Sequence, residues 1–230
     1  MTKSYSQTRD RIQLYFDQTA VKAWETLTNE TPVSVIRSKV RAGRLEMKNL
    51  LLSRLPDDLT GFSVLDAGCG TGQMAIDLGL RGAEVLGIDI SPNLIDIANK
   101  RLPKKLQSNV KFRVSDMMQN HGAFDYVILM DSLIHYPKEN TLDVLEALML
   151  RTRNRILFTL VPINSFLKIK LSIGRLFPHS DRSPILAPLN TRSFIQMFKE
   201  NSKKDETFEM KSVGQVNKWF YTSEAIELKR

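Results

Sequence analysis

The run SVLDAGCGTG, residues 63–72, constrains this 230-residue chain more than any other feature. A short apolar, β-rich segment leads straight into glycines at alternate positions, Gly68, Gly70 and Gly72. Without a Cβ, the backbone there can turn sharply and let a ligand approach closely. The helix expected over residues 72–81 then offers that ligand free N–H groups and a positive dipole end. The next strand, AEVLGID, ends on Asp89, where a carboxylate can accept hydrogen bonds from both hydroxyls of a ribose. Ser115–Met117 (SDM) ends the third strand, VKFRV, and there Asp116 and Met117 can flank an adenine.

The rest of the chain extends this rhythm. FDYVILM and RILFTLV read as further strands, with helices expected over residues 92–101 and 138–150. Strands alternating with helices predict an α/β fold, a mostly parallel sheet with helices on both faces. The first sixty residues read as helical, with Leu14, Phe16, Val21, Trp24 and Leu27 at loosely helical spacing. Thr31-Pro32 is a good helix start, and Val33, Ile36, Val40, Met47, Leu51 and Leu55 share one face of the helix that follows. Pro56 and the two aspartates after it close that helix. Residues 162–190 break the pattern: they are apolar and basic, with Asp181 as the single acid and prolines at 162, 178, 184 and 188. They read as a cap inserted after the fifth strand. The tail returns to β character in FEMKSV and NKWFYTS, expected as an antiparallel pair at the sheet edge. Four units result: a helical arm (1–60), a nucleoside-binding core (61–161), the cap (162–192) and the end of the core (193–230).

Composition narrows the function classes. At 42% hydrophobic and 25% charged residues the chain is globular in character, which excludes disordered and fibrous classes. No apolar run approaches the roughly 18 residues of a membrane span, and the polar start MTKSYSQTRDR has no signal-peptide core, so a cytoplasmic location is expected. The single cysteine, Cys69, excludes an internal disulfide and a cysteine-built zinc site, and its place in the glycine loop favours packing over chemistry. His121, His135 and His179 lie in separate segments, which argues against a histidine metal centre. The net charge of +8 has a location. Residues 1–150 balance at 18 basic and 18 acidic, whereas residues 151–230 carry 15 against 7. Nucleic acid, an anionic membrane and an acidic small molecule are all compatible with such a bias.

The glycine spacing separates two nucleotide-binding classes. Dinucleotide folds use G-x-G-x-x-G, whereas this chain has an acid, Asp66, followed by G-x-G-x-G. That run resembles motif I of the class I S-adenosylmethionine-dependent methyltransferases, and Asp89 matches their ribose-binding acid. Four further stretches extend the resemblance over nearly the full chain: YFDQTAVKAWETLTNETPVSVIRSKVRAGR (15–44), MDSLIHYP (130–137), GRLFPHSDRSP (174–184) and WFYTSEAIEL (219–228). They are similar to the magnesium-protoporphyrin IX O-methyltransferases of chlorophyll and bacteriochlorophyll biosynthesis. The wording at Thr26–Ser34 and Ser180–Pro184 is closer to the anoxygenic bacterial branch. The oxygenic branch has an aromatic residue near Thr28, so no role of that aromatic carries over.

The resemblance implies a Rossmann-like sheet, S-adenosylmethionine as co-substrate, and methylation of one propionate of magnesium protoporphyrin IX. It also implies a partnership with the porphyrin-binding subunit of magnesium chelatase. No protein-bound metal is expected, since magnesium arrives in the porphyrin. Asp66, Gly68, Gly70, Gly72, Asp89, Ile90, Asp116, Met117, Met130 and Arg44 are the expected cofactor residues. Either Arg41 or Arg44 is placed to pair with the methionine carboxylate of the cofactor. His135, after the fourth strand, is expected to face the acceptor, either bonding a propionate oxygen or approaching the porphyrin's magnesium. Tyr15, Phe16 and Trp24 either form a lid over the cofactor or pack the first helix on the core. His135 and Tyr15 are the catalytic candidates. The residues themselves fit such an acceptor. Residues 163–177 are greasy enough for a macrocycle, and Lys168, Lys170, Arg175 and Arg182 offer charge to its carboxylates, with Lys170, Arg175 and Arg182 the substrate-binding candidates. Peripheral contact of this basic stretch with photosynthetic membranes stays open. A quinone or other small apolar acceptor would use the same cofactor site. A nucleic-acid substrate is disfavoured, because MDSLIHYP is not an N-P-P-[YF]-like motif and no basic stripe is interleaved with aromatics.

Overall fold

In the computed structural model, residues 4–17, 35–163, 186–201, 207–218 and 221–230 are described. The described elements begin with α1 (Tyr5–Tyr15), α2 (Val35–Leu52), β1 (Ser63–Ala67), α3 (Gln73–Leu80), β2 (Glu84–Asp89), α4 (Pro92–Arg101) and β3 (Val110–Val114). They continue with β4 (Phe124–Leu129), α5 (Lys138–Met149), β5 (Thr152–Leu160), α6 (Thr191–Asn201), β6 (Glu209–Lys218) and β7 (Tyr221–Lys229). One sheet holds the seven strands in the order β3-β2-β1-β4-β5-β7-β6, with β3 to β5 parallel and β7 antiparallel to both neighbours. The strand order reverses between β1 and β4, and such a switch point opens a crevice at the carboxyl ends of the strands.

The sheet is covered on both faces, so its central strands are apolar in both directions. Along β1 and β4, Val64, Tyr126 and Ile128 join a core with Met47, Leu51 and Leu78, while Leu65, Val127 and Leu129 join another with Phe158, Phe194 and Phe198. This alternation is the period-2 geometry of a strand. The start of α4 is fixed locally: Ser91 Oγ accepts from the Leu94 N–H and Pro92 takes the first helical position.

Three boundaries differ from the sequence reading. In α1 the buried face is Thr8, Ile12 and Phe16, an i, i+4, i+8 stripe, and Leu14 stands 56% exposed. The second helix ends at Leu52, before Pro56, because Ser53 Oγ donates to the Leu50 carbonyl and the chain tightens into i to i+3 bonds at Arg54 and Leu55. The tail reverses between Lys218 and Tyr221, inside the segment expected as its second strand, and β7 continues through SEAIELK. Its Glu227 is fully buried, within 2.8 Å of Arg155 Nη1, 3.1 Å of Arg54 Nη2 and 3.3 Å of Lys211 Nζ. The helix start at Thr31-Pro32, Trp24, and most of the cap (164–185) lie outside the described residues. The flanks of that cap are joined: Pro162 bridges Leu189, and the Ala187 N–H donates to the Ile134 carbonyl at 2.8 Å.

Candidate active site

A cavity of about 370 Å³ opens at the switch point. Its floor is the loop after β1. The N–H groups of Gly68 and Cys69 donate to the Ile88 carbonyl at 2.8 and 2.9 Å, which ties the loop to β2. The Gly70 N–H donates to Asp89 Oδ2 and the Ser91 N–H to Asp89 Oδ1, each at 2.9 Å. Asp89 therefore shapes the loop as well as facing the cavity. Gly68 has φ +79°, and a Cβ there would stand 2.4 Å from that of Ser132, so β1 and the segment after β4 meet only because residue 68 has no side chain.

Three buried carboxylates line the cavity, Asp66, Asp89 and Asp131, and burial raises the pKa of the first two. Asp66 is 1% exposed, and burial, followed by the charge of Asp89, lifts its pKa to about 7 against a donation from the Ala75 backbone. Burial likewise raises Asp89 to about 6, opposed by the Ser91 and Gly70 N–H groups. Asp66 Oδ2 has no hydrogen-bond partner among the described residues, nor has Ser132 Oγ. A buried acceptor left unpaired costs about 1–3 kcal/mol, and the loss is recovered when a cationic group of a ligand fills the place. Burial holds the Cys69 thiol well above its ordinary value, and its sulfur packs toward Gly87 and Phe112 at the foot of the loop.

The expected residues divide by where their side chains stand. Asp66, Gly68, Gly70, Asp89, Ile90, Met117, Met130, Arg44, Arg41 and His135 all line the cavity. Gly72, Asp116 and Tyr15 do not. Gly72 caps α3 at φ +83°, and a Cβ there would stand 2.5 Å from the Phe112 ring and 3.0 Å from Ala98. Asp116 is held by α1, accepting from Tyr5 O–H at 2.5 Å and from Arg9 Nη1 at 3.0 Å, while its backbone carbonyl meets His121 Nε2 at 2.9 Å. Tyr15 is half-buried, packed edge-on to Phe16, and it is Phe16 that faces the cavity. Lys170, Arg175 and Arg182 lie outside the described residues.

Helix α1 completes the enclosure, adding Ile12, which the sequence did not single out, to Phe16, which it did. Helix α1 crosses the cleft with Ile12 and Phe16 facing in. It is pinned at Asp116, at Asn140 through Thr8 Oγ1, and at Ser91, whose Oγ donates to Asp17 Oδ1 at 2.5 Å. His135 ends a 3₁₀ turn (Leu133–His135), is 4% exposed, and has the Phe16 ring edge-on with centroids 5.7 Å apart. The i, i+4, i+8 spacing of Thr8, Ile12 and Phe16 was the available signal for the inward face of α1.

The lining fits S-adenosylmethionine. Reading across the strand ends, Ser115 and Met117 follow β3, Asp89 and Ile90 close β2, Asp66 to Thr71 follow β1, and Met130 to Ser132 follow β4. Asp89 suits a ribose diol, and Ile90, Leu94 and Met117 make an apolar wall for adenine. The unpaired Asp66 oxygen suits an ammonium group, and Arg44 a carboxylate. Among the described residues, no group of three or more histidine, cysteine or acidic side chains is arranged to hold a metal ion.

Comparison with known proteins agrees with this geometry. A general methyltransferase-domain model matches residues 64–153, and the model described as magnesium-protoporphyrin IX methyltransferase C-terminus matches residues 129–230. The magnesium-protoporphyrin O-methyltransferase of Rhodobacter capsulatus is 44% identical over 229 residues, 99% of each chain. The Synechocystis protein of the same name is 28% identical over the full length of both. The crystal structure of magnesium protoporphyrin IX methyltransferase from Synechocystis with bound SAH superposes with a TM-score of 0.81 at 26% identity, covering 97% of this chain and 99% of that one. With fold, glycine loop and full-length identity in agreement, the chain belongs to the magnesium-protoporphyrin O-methyltransferase family.

Proposed function

We infer that this chain transfers the methyl group of S-adenosylmethionine to a propionate carboxylate of magnesium protoporphyrin IX, giving the monomethyl ester and S-adenosylhomocysteine. The observation that carries the reading is the joining of two things in one chain. The cavity is lined by an acid and apolar side chains that suit a nucleoside, and by an unpaired carboxylate and an arginine that suit an amino acid, and the chain matches proteins of this name from end to end.

The chemistry asks little of the protein. S-adenosylmethionine supplies an electrophilic methyl group on a positive sulfur. A propionate has a pKa near that of glutamate, about 4.3, so it is ionised at neutral pH and needs no general base. What remains is to align and to dry the reactants, and alignment is worth up to about 7–11 kcal/mol. Ile12, Phe16, Met117 and Met130 give the cavity an apolar lining, with α1 lying across it. His135 lines the cavity next to Ile134, whose carbonyl receives the Ala187 N–H at the root of the cap. Its place suits orientation of the carboxylate.

A methyl-transfer assay tests the reading. Magnesium protoporphyrin should be esterified once, and a demethylated quinone offered in its place should not react. Quinone methylation without porphyrin ester formation would refute it.

Partners and location belong to the same inference. The excess of cations after residue 150, with Lys168, Lys170, Arg175 and Arg182 at its centre, supports attraction of the porphyrin carboxylates. It is equally a surface for a peripheral contact of a cytoplasmic enzyme with photosynthetic membranes, and hand-over from the porphyrin-binding subunit of magnesium chelatase would bring substrate to the same face. Neutralising two of these residues should raise the KM for porphyrin under the first reading. Under the membrane reading it should abolish sedimentation with anionic liposomes and leave that KM unchanged.

A further inference from the structure

We propose that Asp131 is a positioning residue, which aims Arg44 at the carboxylate of the cofactor's amino-acid end. The proposal rests on the S-adenosylmethionine reading above and adds to it how the second end of that ligand is held.

Asp131 follows β4 directly and is the only non-glycine residue with positive φ, +55°, among the described residues. The left-handed region is unfavourable for a residue with a Cβ, so it persists where the surroundings over-determine it. Here they do. The Asp131 N–H donates to Thr159 Oγ1 at 2.8 Å. Its carboxylate accepts from Tyr221 O–H at 2.9 Å and from Arg44 Nη1 at 2.5 Å, with Thr159 Oγ1 at 3.4 Å. Residues from α2, β5 and β7 thus converge on one side chain that is 7% exposed.

The helix is held close for the same purpose. A Cβ on Gly43 would stand 2.7 Å from the Tyr221 ring, so α2 reaches β7 because residue 43 lacks a side chain. Arg44, the next residue, lines the cavity and brings its guanidinium down onto Asp131. A free arginine side chain samples many rotamers, and its planar fork can meet carboxylates on more than one edge. Fixing one edge on Asp131 settles in advance where the guanidinium points.

The order of the strand ends says what it points at. With ribose at Asp89 on β2, a ligand crossing the sheet passes Asp66 at the end of β1 and reaches Asp131, after β4, and the Arg44 that it holds, all on the cavity wall. Asp66 takes the ammonium, which leaves the carboxylate for the guanidinium that Asp131 holds.

The test compares two ligands by calorimetry. S-adenosylhomocysteine has the amino-acid end, and 5′-methylthioadenosine lacks it. Asp131→Asn keeps the shape but removes the ion pair. It should weaken S-adenosylhomocysteine about tenfold, the scale of one hydrogen bond to a charged group, and leave 5′-methylthioadenosine within about twofold. Arg44→Lys should lose at least as much, and Asp131→Asn added to it should cost nothing further, because the aspartate acts through the arginine. Tyr221→Phe, a milder change, should show the same ligand selectivity at about threefold. Equal weakening of both ligands, additive losses in the double variant, or tighter S-adenosylhomocysteine binding in Asp131→Asn would each overturn the proposal. Failure of the unsubstituted protein to bind either ligand would instead overturn the cofactor reading, and the proposal with it.

Discussion

Asp66 is the side chain whose burial should be most visible in bulk stability. Its pKa in the fold, about 7, lies above the ordinary carboxylate value of 3.8, mainly because burial disfavours the charged form. A raised pKa contributes stability that is complete below the unfolded value and is lost as pH rises through the folded one. At about 1.4 kcal/mol per pKa unit, ionising Asp66 in the unliganded fold costs on the order of 4 kcal/mol above pH 7. About 2 kcal/mol of that falls between pH 5.5 and pH 8. Urea unfolding at those two pH values, on the unliganded protein and on Asp66→Asn, measures it. The unsubstituted protein should lose about 2 kcal/mol more than the variant over this interval, equivalent to a melting temperature lower by roughly 4–8 °C. S-adenosylhomocysteine should reverse the trend, since an ammonium beside Asp66 favours the carboxylate, so binding strengthens with pH in the parent and stays flat in the variant. Parallel pH dependence in the two proteins would refute the account.

Asp89→Ala should weaken cofactor binding by about 1.5–3 kcal/mol in calorimetry, and it should loosen the glycine loop as well, since Asp89 holds the Gly70 N–H. His135→Ala should slow methyl transfer by a factor on the order of 10–100 with cofactor affinity intact, because an orienting contact is lost and no proton transfer is needed. A far larger loss would mean that His135 performs acid–base chemistry. Glu227→Gln should destabilise the fold by about 3 kcal/mol in denaturant, leaving Arg54, Arg155 and Lys211 without their common anion. Burial works against the Glu227 charge, but these cations hold its pKa below the ordinary value. Its contribution is therefore present above about pH 4.3 and lost as pH falls through the depressed value, the opposite sign to Asp66.

The parallel half of the sheet was legible because its determinants are local. VLDA, EVLGID and FDYVIL are short apolar runs bounded by turn residues, and each became a strand within a residue or two of its expected ends. SEAIELK was not legible in the same way. Alanine, glutamate, leucine and lysine favour helix, yet the segment lies between β5 and β6, with Ala225, Ile226 and Leu228 buried on alternating faces. What overrides propensity there is Glu227, whose three cations come from β5, β6 and the end of α2. No window of sequence shows a carboxylate together with partners 173 positions away.

The candidate site divides along the same line. Its nucleoside end is written in one stretch, because a tight turn demands glycine and a ribose demands an acid at the end of the next strand. Even there a single letter carries two meanings: Gly68 opens the approach of Ser132, whereas Gly72 serves the contact of α3 with Phe112, and the motif alone does not tell them apart. The amino-acid end has no such stretch. Arg44, Asp131, Thr159 and Tyr221 come from four separate elements, and the one irregularity that brings them together is a backbone angle at Asp131. A left-handed aspartate leaves no trace in composition or periodicity, since aspartate is common in turns for other reasons. The information is stored in packing: Gly43 admits the Tyr221 ring, the ring's hydroxyl fixes the aspartate, and the aspartate fixes the arginine. A chain that kept motif I but carried a larger residue at position 43 would keep its cofactor signature in sequence. It would still hold a nucleoside, and it would lose its grip on the amino-acid end of the ligand.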